Sequence, residues 1–408
     1  MRKGSIWRIV ALLMALTMVA AACGSDSDDT TTTTAAAAAT TTTTSGPAAT
    51  TTTAAASTPC VASIGIMGPF TGDAAFIGQV QLNWAKYAVE LFNGDMGSNI
   101  TLIEFDTMID PAQGAILAPQ AVDDSDIVGV IGPAGSQVVN AVGPIFDPAQ
   151  MAFISPSSTE VGLAEKYDFL FRNVPLDDVQ GPTSAAYMVA QGAQKVFVID
   201  DQTSYSTGLA GTIQSELETA GVTVETDSVV QDATDFSALV STIPDDTDFV
   251  YLPWQIASNG EILGNQLAEQ GKDITIFGSD GMDSADFNIA GSVVAAFAPD
   301  LAAIPDSADL LAGYLAQYDE TNTFGPVAFA ATKVLLEAVD RVCQAGGIDS
   351  GDATATRALV AAEVALTDQS ADETILRAPL SFTSIGELDG GAYFISEIQP
   401  DGSYLVVG

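Results

Sequence analysis

The sequence predicts an α/β protein built from two α/β units in series, each around a largely parallel sheet. Three observations carry this. Short apolar runs of strand length alternate with longer segments whose apolar residues recur at helical spacing. The alternation runs through one βαβαβ cycle and then a second. The loops that leave the strands are short and rich in Gly and polar residues, as ligand-facing exits of open parallel sheets are.

The elements follow in order from Cys60. "VASIGIMGPF" reads as a strand ending in Gly and Pro. "GQVQLNWAKYAVELFN" places Leu82, Ala85, Val89 and Phe92 on one helical face. "NITLIEFD" alternates as a strand, and "PAQGAILAPQAV" reads as a helix kinked or broken at Pro119. "IVGVIGP" is an apolar strand, "SQVVNAVGPIF" a helix and "MAFIS" a strand. After "FRNVPLDDVQGP", the helix "TSAAYMVAQGA" and the strand "KVFVID" open the second cycle. "STGLAGTIQSELETAG" is a helix stopped at Gly221. "VTVETDSVV", "DFVYLP" and "ITIFGSD" read as strands, with helices "DFSALVSTI" and "ASNGEILGNQLAEQG" between them. Beyond about residue 305 three helical segments dominate, and "AYFISEIQPDGSYLVV" closes the chain as a hairpin around "PDG". Parallel strands joined by helices require helices on both faces of each sheet.

Composition narrows the function. Of 408 residues, 12 are basic and 52 acidic, a formal net charge of −40. Such a surface repels nucleic acid and anionic lipid; solubility or adaptation to high salt accounts for it. There is no histidine, which removes Ser-His-Asp and Cys-His nucleophile systems and His-based zinc sites. Cys23, Cys60 and Cys343 are too few for a Cys-only structural zinc site. No cofactor is implied.

The N-terminus is a targeting segment in composition. "MRKGSIWR" is basic, and "IVALLMALTMVAAA" is an apolar run of fourteen residues, too short to span a bilayer comfortably. Small residues before Cys23 resemble the bacterial lipoprotein signal, in which that cysteine receives lipid. Residues 1–22 are then the signal peptide, and 23–59, with "TTTTTAAAAATTTTT" at their centre, a tether without a core. A flexible coil of that length reaches roughly 30–35 Å.

"AFISPSST" (152–159) ends an apolar strand in Ser155, Ser157, Ser158 and Thr159, a concentration of hydroxyls suited to a ligand that needs several hydrogen bonds. Together with "FRNVPLDDVQGPTSAAYM", "DDQTSYSTGLA", "DFSALVSTI", "DFVYLPW" and "FGSDGMDSADFNIAG", it stands in the order and spacing of the leucine/isoleucine/valine-binding proteins. The chain from about residue 61 to 408 resembles these type I periplasmic substrate-binding proteins of ABC importers. The resemblance implies two Rossmann-like lobes joined by a three-strand hinge, with a ligand held between them. Lobe 1 would take residues 61–176 and 305–376, and lobe 2 residues 177–304 and 377–408.

The resemblance also implies site residues. The carboxylate positions fall on Ser136, Ser157 and Thr159, with Gly135 before the first. Hydroxyls and backbone N–H groups at helix starts hold an anion without a countercharge; Ser136 opens a helix, and Thr159 is expected to open a short one before Leu163. Helix capping alone also explains such residues. The ligand ammonium would fall on Asp280, with Tyr205 packing on or bonding the ligand. Ile77, with Phe76 beside it, and Gln255, after Trp254, stand where branched-chain binders carry aromatics, so Gln255 favours a polar side chain or an amide-type ligand. Cys60 and Cys343 suit an exported disulfide, or two buried thiols.

The expected function is therefore an extracytoplasmic, membrane-anchored, monomeric lipoprotein that captures an amino-acid-like solute and delivers it to ABC permease subunits, with no chemistry performed. The alternatives are a ligand-sensing domain working with a separate signalling protein, a binder of amides or ureas, and a carboxylate-dependent hydrolase.

Overall fold

The computed structural model describes residues 59–319, 321–348 and 351–408; the targeting segment and almost all of the tether lie outside them. The first unit runs β1 (Val61–Gly68), α1 (Ala75–Met96), β2 (Asn99–Asp106), α2 (Pro111–Asp123), β3 (Ile127–Ile131), α3 (Ser136–Phe146), β4 (Phe153–Ser155) and β5 (Leu170–Arg172). Its sheet has the order β2-β1-β3-β4-β5, and every pairing is parallel.

The second unit runs α4 (Asp177–Ala190), β6 (Lys195–Asp200), α5 (Ser204–Thr219), β7 (Thr223–Ser228), α6 (Ser237–Val240), β8 (Phe249–Leu252), α7 (Ala257–Glu269), β9 (Thr275–Gly278) and β10 (Val293–Ala296). The chain then returns to the first unit as α8 (Ala308–Leu315), α9 (Phe324–Gln344) and α10 (Ala353–Val364), and α9 packs along α1. A small antiparallel pair, β11 (Asp368–Gln369) and β12 (Leu380–Ser381), precedes the terminal hairpin β13 (Phe394–Ile398) and β14 (Tyr404–Val406). The second sheet has the order β14-β13-β10-β9-β8-β6-β7, parallel from β7 to β10 and antiparallel at β13 and β14.

Three apolar clusters fill this frame. One lies between the first sheet and α1, α9 and α10, and another between the second sheet and α6 and α7. The third runs from α2 and α3 to α4 and α5, so the inner layers of the two units share one core. Helix α3 meets α5 across the boundary.

Several expectations need correcting. Helix α2 is continuous through Pro119, and α4 starts at Asp177, ahead of Pro182, rather than after it. Pro119 and Asp178 are exposed, so the ladder bonds these prolines remove fall on faces that water can reach. Thr159 opens no helix; only turns follow it. Residues 377–389 stay with the first unit longer than expected: Phe382 lies 5.2 Å from Phe171, ring to ring, and Glu387 binds Arg172. Of the two arrangements expected for Cys60 and Cys343, the structure has the disulfide, which joins the residue before β1 to the end of α9.

Candidate functional site

The exits of β3 and β4 meet. Gly135 has φ 85°, and a Cβ built on it would lie 2.9 Å from Ile109 Cγ1, so both the turn and the close approach call for glycine. Ser136 begins α3 and its Oγ accepts from the Glu160 N–H at 3.2 Å. The four hydroxyls of the β4 exit divide into two pairs. Ser155 and Ser158 both donate to the Pro133 carbonyl, at 2.7 and 3.2 Å, and so tie the two exits together. Ser157 Oγ and Thr159 Oγ1 are buried and have no hydrogen-bond partner of good geometry among the described residues. Orphaned buried hydroxyls are costly unless something else satisfies them.

Arg172, at the end of β5, holds this loop from below. Its guanidinium donates to the carbonyls of Ser158 at 3.1 Å and Glu160 at 2.6 Å, while Nε donates to Glu387 Oε2 at 2.8 Å.

The second unit supplies the acid. Asp280 follows β9 in a 3-10 turn and is 3% exposed. Its Oδ1 accepts from Tyr205 Oη at 2.6 Å and from Gln180 Nε2 at 2.7 Å. Burial pushes its pKa up to about 6, against those two bonds. Asp177, the first residue of α4, is 1% exposed, and neither carboxylate oxygen has a well-formed partner. Burial first, and then Asp280, pushes it well above the usual carboxylate range; the neighbouring Thr159 hydroxyl and Arg172 oppose the shift. Tyr205, Tyr251 and Tyr393 have phenols raised by burial and by these acids. One buried site thus sets the unpartnered Ser157 hydroxyl and the Thr159 hydroxyl, close to Asp177, beside two carboxylates, which matches a small ligand bearing both an anionic and a cationic group.

The remaining expected residues separate. Gln255 Oε1 accepts from Gln137 Nε2 at 2.7 Å, a bridge from one unit to the other. Trp254 points away into the second unit's core, where its indole donates to the Ile199 carbonyl at 2.7 Å and packs 5.1 Å from Phe236. Ile77 is buried in the shared core; Phe76 is partly buried and packs on both the shared and second-unit clusters. Sequence reasoning missed Asp177, Gln180, Gln137, Tyr251, Tyr393 and Glu160. Asp177 and Gln180 stand inside "LDDVQGP", which reads as the connection ahead of the helix "TSAAYMVAQGA" rather than as its first turns.

Further bonds close the units on each other. Glu160 Oε2 accepts from Ser204 Oγ at 2.7 Å and Asn140 Nδ2 at 2.9 Å, and Thr323 Oγ1 donates to Asp283 Oδ2 at 2.5 Å. Two cavities flank the anchoring residues, about 390 Å³ beside Glu160, Asp177 and Ser204 and about 280 Å³ beside Asp73, Ile109, Gln231 and Ile256. A larger one, about 640 Å³, lies where the connections between the units pass Asn173, Phe297 and Gly391. Among the described residues no group of His, Cys, Asp or Glu is arranged to hold a metal ion, and no helix is long and apolar enough to cross a membrane.

Two α/β lobes linked by three crossings, with a buried polar site between them, define a solute-binding protein of the two-lobed type. The profile of the periplasmic binding protein family matches residues 61–383, and the chain belongs to that family. Its members are extracytoplasmic solute binders, not enzymes. The chain is 29% identical over 306 residues to the Leu/Ile/Val-binding protein BraC3 of Rhizobium johnstonii, covering 72% of this chain and 82% of that protein. It is 27% identical over 359 residues to the leucine-specific-binding protein of Salmonella typhimurium, covering 84% and 92%. Among solved structures, the leucine binding protein LivK of Thermotoga maritima superposes with a TM-score of 0.74 at 20% identity, covering 85% of this chain and 98% of that one. LivJ of Streptococcus pneumoniae in complex with isoleucine gives 0.74 at 22%, covering 85% and 99%. A Rhodopseudomonas palustris solute binding protein in complex with benzoate gives 0.74 at 16%, covering 85% and 96%. These neighbours share the fold.

Proposed function

We propose that this protein is the solute-capturing component of an ABC importer and that its ligand is an α-amino acid or a close analogue. Ser157 and Thr159, with Ser136 and the start of α3, take the carboxylate; Asp280, with Asp177 and Tyr205, takes the ammonium. The observation that carries this reading is the pairing, in one buried site, of the Ser157 hydroxyl without a partner and the Thr159 hydroxyl beside Asp177 with two carboxylates raised by burial. Neutral donors suit an anion in an acidic protein, and a buried carboxylate pair suits a cation. Binding favours the closed arrangement because only that arrangement offers both halves.

In the same reading Cys23 carries lipid, and residues 24–58 hold the folded part off the membrane. Cys23→Ala would then release the protein from the membrane fraction.

The test is calorimetric titration with the twenty amino acids. At least one should bind with one-to-one stoichiometry, and Asp280→Ala should weaken it by roughly 30-fold or more, the cost of a buried unpaired ammonium. Saturable binding that is unchanged in Asp280→Ala would remove the acid from the site. Preferred binding of a solute with neither charge would overturn the reading.

A further inference from the structure

The amide bridge between Gln137 and Gln255 has a position that bears on what the ligand carries beyond its two charged groups. Gln137 directly follows Ser136, and its side chain covers Gly135: a Cβ on Gly135 would lie 3.5 Å from Gln137 Cδ. Gln255 packs against Gly281, the residue after Asp280, where a Cβ would lie 3.1 Å from Gln255 Cα and only 2.3 Å from the Trp254 carbonyl. One amide is therefore anchored beside the anion-binding residues and the other beside the acid. The bridge joins the two halves of the site.

Both side chains are buried, 8% and 5% exposed. The bridge uses one half of the Gln137 amide; its other half, Oε1, has no partner. Turning both amides over keeps the bridge and leaves Gln137 with an unpaired N–H instead. In the first arrangement a donor completes it and in the second an acceptor, and a carboxamide offers both. An apolar side chain placed here would leave a buried polar atom unsatisfied, and a site built to hydrogen-bond its substrate discriminates strongly against an isostere that does not.

We infer that the ligand is an α-amino acid whose side chain ends in a carboxamide, held by the Gln137–Gln255 pair, rather than a branched-chain amino acid. This rests on the amino-acid reading proposed above. Asparagine and leucine are near-isosteric, so comparing them isolates the hydrogen bonds from the shape. Titration of the purified protein with L-asparagine, L-glutamine and L-leucine should show one of the two carboxamides binding at least tenfold tighter than leucine. Gln137→Leu/Gln255→Leu, checked for folding by circular dichroism, should reverse that order. If the double variant does not fold, the wild-type ratio alone decides. Leucine binding within tenfold of the tighter carboxamide, or tighter than it, overturns this inference and leaves the charged anchors standing. If no α-amino acid binds at all, the anchor reading fails and this inference fails with it.

Discussion

Tyr205 Oη donates to Asp280 Oδ1 at 2.6 Å across 75 residues of sequence, and Asp280 is nevertheless raised from an ordinary value of 3.8 to about 6. Desolvation outweighs the two bonds the carboxylate receives. Asp177 is raised for the same reason and by Asp280 itself, and burial likewise pushes Asp283 up to about 6, against the bond it receives from Thr323.

A pH dependence follows from these directions. As pH rises through about 4 the unfolded chain loses the Asp280 proton, while the folded chain keeps it until about 6. The folded state binds more protons in that window, so ligand-free stability falls as pH climbs through it, by on the order of 3 kcal/mol for Asp280. The thermal midpoint of the ligand-free protein should be higher at pH 5 than at pH 7.5, and Asp280→Asn should shrink the difference. A ligand ammonium needs the ionised acid, so affinity should rise as pH climbs through about 6. A flat affinity from pH 5 to 7.5 in the unaltered protein would sink this account.

Arg172 and Glu387 supply a different prediction. The guanidinium is fully buried, pairs with Glu387 and holds two carbonyls of the loop that carries Thr159. Arg172→Met leaves Glu387 unpaired and should cost about 3–5 kcal/mol in urea denaturation. Arg172→Met/Glu387→Leu should recover most of that stability. It should not recover ligand affinity, because the loop has lost its donors. Equal recovery of both would mean the arginine does not shape the site.

How much of this the sequence revealed depends on length and on partners. Strands such as β2 and β6 read cleanly because six to eight residues alternate or run apolar. Strand β5, three residues, and β10, four residues of "VVAA", are too short to carry a period and owe their form to neighbours in the sheet. Pro119 and Pro182 read as breakers because whether water reaches the carbonyl each leaves unbonded is a tertiary property. In the site, Ser157 and Thr159 were legible as a cluster of hydroxyls at a strand end, but their separation from Ser155 and Ser158 needs Pro133. The partner of Gln255 lies 118 residues away, and nothing local to either glutamine marks it. Trp254 fell beside the site in sequence and faces the other way because successive residues leaving a strand point to opposite faces.

The contact of Glu160 with Ser204 predicts a kinetic effect. Glu160 follows Thr159 on the first unit, and Ser204 precedes Tyr205 on the second, so their 2.7 Å bond exists only when the units are together. Glu160→Ala should remove about 1 kcal/mol from the closed state, speeding ligand dissociation roughly fivefold while leaving the association rate unchanged. Ser204→Ala should act alike, and the double variant should fall short of the sum, since Asn140 is shared by both partners. Stopped-flow dissociation measures this. A slower association rate with unchanged dissociation would mean the bond forms before closure.

The Cys60–Cys343 bridge spans a sequence separation of 283 and ties the entry of the first sheet to the end of α9. Closing so long a loop restricts the unfolded chain, an effect of about 3–5 kcal/mol in the chain-entropy account. Neither cysteine contacts the anchoring residues, so the bridge should govern stability and not recognition. Reduction under native conditions should lower the thermal midpoint by several degrees and leave ligand affinity within a factor of two. The Cys60→Ser/Cys343→Ser variant should reproduce the reduced protein. An affinity loss in that variant as large as its stability loss would place the bridge in control of closure, since it would then be holding the first unit in the shape the cleft requires.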